Sequence, residues 1–216
     1  MKLFLTSYAA YSLDKVIHLL PNMPSTYTVA FIPTASDMYI GERPWIDKDR
    51  QALVDFGFKV FNVGLQTDLD EYGYPIIHGE QKTESQLRDE LKDVDILFVA
   101  GGNTFYLLEQ AQKSGFMTIA KEMVKEGKIY IGSSAGSVLA GPDIEAVEFF
   151  DDPKEASLSS TKGLGIVDFV VLPHYVEGSY DPDFKKTEEI YGDKYNLLKV
   201  ENSQVVVVDE KGYRAI

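Results

Sequence analysis

The chain contains no cysteine, only three histidines and one tryptophan, and its 21 lysines and arginines are outnumbered by 34 aspartates and glutamates. Without cysteine there can be no disulfide, no thiolate nucleophile and no cysteine-ligated metal site. That fits a reducing compartment, and a cytoplasmic location is the expectation. The net charge of −13 repels nucleic-acid phosphates and anionic membrane surfaces, so neither is expected as a partner. It also means that an anionic substrate would need a local cationic patch. No apolar run approaches the length of a membrane span. The opening Met1–Thr6 stretch turns polar too soon for a signal peptide and reads as a first strand. Neither a G-x-x-x-x-G-K-[ST] nor a G-x-G-x-x-G phosphate cradle occurs.

The 216 residues, 44% of them hydrophobic, suit one packed domain spanning 1–216. Apolar strand-like runs alternate with amphipathic helical stretches. Strands are predicted at Leu3–Thr6, Thr28–Ile32, Lys59–Val63, Asp95–Val99, Lys128–Ile131, Phe169–Leu172 and Val205–Val208. Helices are predicted near 10–19, 45–56, 83–92, 104–113, 117–126 and 183–191. Several strands are apolar throughout, as required when helices cover both faces of a sheet. The repeated β-α order predicts an α/β three-layer sandwich with a mostly parallel central sheet. Leu197–Val200, Gln204–Val208 and Gly212–Ile216 are separated by turn residues and predict an antiparallel C-terminal edge.

Chemistry concentrates at the carboxyl ends of these strands, where open α/β sheets place their sites. Gly132-Ser133-Ser134-Ala135-Gly136 follows the apolar run Lys128–Ile131. A G-x-S-x-G turn between strand and helix lifts its serine above the sheet, so Ser134 is the candidate nucleophile. A serine needs a base. Of the three histidines, His18 falls in the first helical stretch and His78 ends the Tyr74–Ile77 run, read as a hairpin. His174 follows Phe169–Pro173 at the mouth of a buried strand, on the same rim as Ser134, and is the candidate base. The base needs an orienting group, usually a carboxylate. Asp143, Glu145, Glu148, Asp151 and Asp152 lie between serine and histidine. Asp151 is chosen because Asp151-Asp152-Pro153 turns the chain after Phe149-Phe150, with Asp152 and Glu145 as alternatives. Oxyanion donors are expected from the N–H of Ala135 and from the Gly101-Gly102 turn.

These residues resemble the peptidase E (α-aspartyl dipeptidase) family of serine peptidases. The ordered set is Phe31-Ile32-Pro33, Gly101-Gly102-Asn103-Thr104-Phe105, Tyr130-Ile131-Gly132-Ser133-Ser134-Ala135-Gly136, Ala140-Gly141-Pro142 and Pro173-His174-Tyr175. The resemblance runs over most of the chain. It implies a class I glutamine-amidotransferase-like, flavodoxin-like fold and a nucleophile–base pair of Ser134 and His174. It also implies oxyanion donors at Gly102 and Ala135, an acidic third member near Asp151, and substrate contacts from Asn103, Thr104 and Glu201. Ser133 stands where aspartyl-specific members carry tryptophan. Their arginine after the histidine has no counterpart, Asp183-Phe184-Lys185-Lys186-Thr187 offering lysines instead.

The function expected is hydrolysis of dipeptides or very short peptides, N-terminal aspartate among them, by a Ser-His-acid triad through an acyl-enzyme. No metal or cofactor enters that chemistry, and the enzyme is expected as a monomer or homodimer. A non-catalytic small-ligand-binding or regulatory protein of the same fold is the alternative. A glutaminase-like subunit is a third reading, disfavoured by the missing cysteine.

Overall fold

The structure, a computed structural model, describes residues 1–39, 41–67, 80–178 and 181–216. His78 lies outside the described residues.

Seven strands form the central sheet: β1 (Lys2–Thr6), β2 (Thr28–Ile32), β3 (Lys59–Asn62), β4 (Ile96–Val99), β5 (Ile129–Ser133), β8 (Val205–Asp209) and β9 (Gly212–Ala215). Their order is β3-β2-β4-β5-β1-β8-β9. The first five run parallel, and β8 and β9 close one side antiparallel. The helices are α1 (Leu13–Ile17), α2 (Pro44–Asp55), α3 (Glu84–Leu91), α4 (Thr104–Lys113), α5 (Phe116–Lys125), α6 (Ala135–Leu139) and α7 (Pro182–Tyr191).

Alternating side chains of the buried strands feed two cores. Leu3, Leu5, Ile32, Val99 and Tyr130 pack on one face with Leu107 and Leu108 of α4, Phe116 of α5 and Val138 of α6. Phe4, Phe31, Phe98, Ile131 and Val207 pack on the other with Leu13, Val16, Ile46 and Leu53 of α1 and α2. The result is the α/β three-layer arrangement with a mostly parallel sheet and an antiparallel edge.

One expectation is corrected. Leu197–Val200 does not join that antiparallel edge. It lies in β7 (Asn196–Glu201), which pairs parallel with β6 (Phe169–Tyr175) in a separate two-stranded sheet. β8 pairs with β1 and β9 with β8, so the antiparallel edge is built without β6 or β7. They bury their apolar side chains, Phe169 to Leu172 and Val200, against the α4–α6 core instead. The α7 crossover between β6 and β7 is what allows them to run parallel. This second sheet carries His174 over the carboxyl ends of the main strands.

Candidate functional site

β5 ends at Ser133 and α6 begins at Ala135, so Ser134 alone turns the chain. Its backbone sits at φ 49 and ψ −113, a conformation that costs a non-glycine residue about 1–3 kcal/mol and persists only where its surroundings enforce it. The flanking glycines are steric necessities. A Cβ on Gly136 would stand 2.0 Å from the Val99 carbonyl oxygen, and one on Gly132 would stand 2.7 Å from the Gly136 backbone. The buried Tyr130 hydroxyl donates to the Gly136 carbonyl at 2.6 Å and ties the turn back to β5.

The Ser134 Oγ lies 2.9 Å from His174 Nε2. His174 also has a left-handed backbone, at φ 64. It is held by Ser7, whose hydroxyl accepts the His174 N–H at 3.1 Å and donates to the Val200 carbonyl at 2.5 Å. The other ring nitrogen, Nδ1, faces Asn202 Oδ1 at 2.7 Å. An amide oxygen can only accept, so Nδ1 carries the proton and the Nε2 lone pair is directed at the serine hydroxyl.

Asp151 therefore does not occupy the position expected of it. Its Oδ2 accepts the Thr104 N–H at 2.9 Å and the Thr104 hydroxyl at 2.5 Å, which places it beside the start of α4. Burial pushes its carboxyl above the ordinary Asp value, while the Thr104 bonds and the charge of His174 pull it down. Asp151 thus reaches His174 by field and not by hydrogen bond. Of the alternatives, Asp152 caps a short 3-10 turn through the Lys154 N–H, and Glu145 is engaged by Lys194 and Tyr195. Asn202 was missed because an asparagine between two strands reads as a turn residue. It stands directly after Glu201, the position singled out by resemblance.

The remaining expected site residues divide. Gly102 has φ 141, and a Cβ there would lie 2.1 Å from the Ala35 carbonyl oxygen, so only glycine fits. Among the described residues the N–H groups of Gly102 and Ala135 have no intramolecular acceptor. Thr104 lines the cavity beside Ser134. Asn103 does not. It is buried as the cap of α4, its Oδ1 accepting the Tyr106 N–H at 2.9 Å and its Nδ2 donating to the Asp152 carbonyl at 3.0 Å. Glu201 also lies outside the cavity lining and accepts the Glu177 N–H at 3.2 Å. His18 stands exposed at the end of α1, away from this rim.

A cavity of about 450 Å³ opens beside Ser134 and His174. The rings of Tyr8, Tyr39, Trp45, Phe150 and Phe184 line it. Asp49 of α2 also lines it and was not anticipated from sequence, although Asp49 stands in the buried stripe of α2 between Ile46 and Leu53. A carboxylate in an apolar helix stripe is the signal that could have found it. Asp49 Oδ1 accepts the Ala10 N–H at 2.8 Å. Burial pushes its carboxyl up to about 6, against smaller lowering effects of the Ser133 hydroxyl and the Ala10 N–H.

The chain belongs to peptidase family S51, whose model matches residues 3–216. It is thus a serine-type peptidase. An uncharacterized peptidase of Listeria innocua is 32% identical over 218 residues, covering 97% of this chain and 93% of that protein. An uncharacterized peptidase of Pasteurella multocida is 28% identical over 97% of this chain and 94% of its own length. Peptidase E of Shewanella amazonensis is 37% identical over 147 residues, 68% of this chain and 53% of that protein. Among solved structures, a candidate peptidase E protein from Listeria monocytogenes EGD-e superposes with a TM-score of 0.83 at 26% identity, over 100% of this chain and 97% of the other. None of the described helices is long and apolar enough to cross a membrane.

Proposed function

We propose that this protein is a serine exopeptidase that hydrolyses dipeptides or very short peptides through an acyl-enzyme. The observation that carries the reading is the continuous chain from Ser134 Oγ to His174 Nε2, and from His174 Nδ1 to Asn202 Oδ1, at the mouth of a small cavity. His174 takes the hydroxyl proton as Ser134 Oγ bonds to the scissile carbonyl carbon. The N–H groups of Gly102 and Ala135 hold the oxygen as it gains charge. His174 then returns the proton to the leaving amine as the C–N bond breaks. Water, deprotonated by the same imidazole, releases the acyl group. Asn202 fixes the tautomer and orientation of the ring, the task usually given to a carboxylate.

The test combines labelling with turnover. The wild type should react with a serine-directed aryl phosphonate at Ser134 and cleave at least one member of an X-Leu dipeptide panel. Ser134→Ala should lose both, with kcat down by about 10³ or more. Turnover by Ser134→Ala at the wild-type rate sinks the assignment. An inert wild-type serine that leaves small-ligand binding intact favours the non-catalytic reading.

A further inference from the structure

We propose that the preferred substrate carries a basic N-terminal residue, lysine or arginine, whose side chain is held by the Asp49 carboxylate and the rings of Tyr8, Tyr39 and Trp45. The proposal rests on the peptidase reading above and reverses the charge preference implied by the family resemblance.

Asp49 and Trp45 stand four residues apart on α2 and so share the face that meets the cavity. Asp49 is 2% exposed. Its partners are the Ala10 N–H and the Ser133 hydroxyl, and no lysine or arginine pairs with it. A buried carboxylate without a cation is expensive to maintain. A cationic ligand group would supply the missing partner.

The rest of the cavity has the same sign. Asp151 and Asp181 also line it, and no lysine or arginine does. Every lysine and arginine of the chain falls among the described residues, so the remaining residues contribute none. The lysines of the Asp183–Thr187 stretch are engaged elsewhere. Lys185 pairs with Glu189 at 3.6 Å, and Lys186 lies over the Phe149 ring at 3.8 Å from its centroid. Arg43 is buried, with Nε donating to the Tyr39 carbonyl at 2.8 Å. The negative field is registered by the wall itself. The Tyr8 and Tyr39 hydroxyls are both raised above their ordinary value, first by burial, then by Asp49 and by Asp151 with Glu155 respectively.

The aromatic wall favours the same ligand. Tyr39 and Trp45 meet edge to face at 5.3 Å, and such rings attract ammonium and guanidinium groups through their faces. The field also sets the direction of the peptide. The free carboxylate of a dipeptide is repelled toward the mouth, which leaves the N-terminal residue inside. An N-terminal aspartate would add a further carboxylate facing Asp49, Asp151 and Asp181.

Calorimetric binding of Lys-Leu, norleucyl-Leu, Ala-Leu and Asp-Leu to the Ser134→Ala protein separates charge recognition from chemistry. Lys-Leu should bind at least tenfold more tightly than norleucyl-Leu, and Asp-Leu most weakly. Adding Asp49→Asn should reduce Lys-Leu to the norleucyl-Leu level and change Ala-Leu by less than twofold. Equal affinities, tighter binding of Asp-Leu, no binding of any member, or an equal loss for all peptides in Asp49→Asn each overturn the proposal. The peptide series on unaltered Asp49 decides the matter even if Asp49→Asn folds poorly. Phosphonate labelling of the wild-type protein reports separately on the peptidase reading. Its failure would count against catalysis, while the calorimetric ranking would still decide the charge preference.

Discussion

Replacing Asp49 by asparagine is expected to stabilise the protein at neutral and alkaline pH and to leave its stability in acid nearly unchanged. The carboxyl is pushed up to about 6 in the folded chain, from an ordinary value of 3.8. A group whose folded value is raised contributes stability fully below its unfolded value. That contribution is lost as pH rises toward the folded value, here between about pH 4 and pH 6. At 1.36 kcal/mol per pH unit the loss amounts to about 3 kcal/mol. Asparagine has the same shape and no charge. It can accept the Ala10 N–H, the bond that Asp49 makes at 2.8 Å. Urea unfolding of both proteins from pH 3 to pH 8 measures the difference directly, because every other carboxylate titrates in both and cancels. The gap should open between pH 4 and pH 6 and level off near 3 kcal/mol. In a chain of this size that corresponds to a rise in Tm of roughly 6–12 °C. A pH-independent difference, or an asparagine variant that is less stable at pH 8, would refute the claim that Asp49 is held at the expense of stability. Opposite signs for stability and for binding of a basic peptide are the mark of a residue kept for a ligand.

Two other substitutions test the framework around the serine. Asn202→Ala should lower kcat/KM by about 10²–10⁴ through loss of ring orientation, whereas Asn202→Asp, which still accepts from Nδ1, should retain most of the activity; equal activity in Asn202→Ala and the wild type would remove Asn202 from the mechanism. Tyr130→Phe deletes the buried hydroxyl that donates to the Gly136 carbonyl at 2.6 Å. It should destabilise the chain by about 1–3 kcal/mol in urea unfolding and slow phosphonate labelling of Ser134, and an unchanged unfolding midpoint would mean that the turn holds itself.

The parts of the fold that were legible in sequence are those where a single element declares itself. Val29 to Ile32, Ile96 to Val99 and Ile129 to Ile131 are buried on both faces and read as apolar runs. The helix predicted near 83–92 is α3, opened by a capping box of Thr83 with Gln86. The turn around Ser134 was equally local, because its glycines are dictated by neighbours within the same turn and by β4. The partner of His174 was not local. Asn202 and Asp151 are both hydrogen-bonding residues in turn-like stretches, and only the folded path of β7 decides which one meets Nδ1. The same holds for β7 itself. Its apolar content marks a strand, but only the tertiary path of the chain decides that it pairs with β6.

The sequence by itself thus determined the class of fold, the strand-end location of the candidate site, Ser134 and His174 as its candidate nucleophile and base, and the lack of any cysteine thiol. Those properties follow from periodicity, composition and short-range sterics. Tertiary structure alone decided that Asn202 meets the histidine Nδ1 and that Asp151 turns to Thr104. It also decided that Asp49, 85 residues before Ser134 in the chain, looks into the same cavity. Such choices depend on which distant backbone segments approach within hydrogen-bonding reach, and no local pattern encodes that approach.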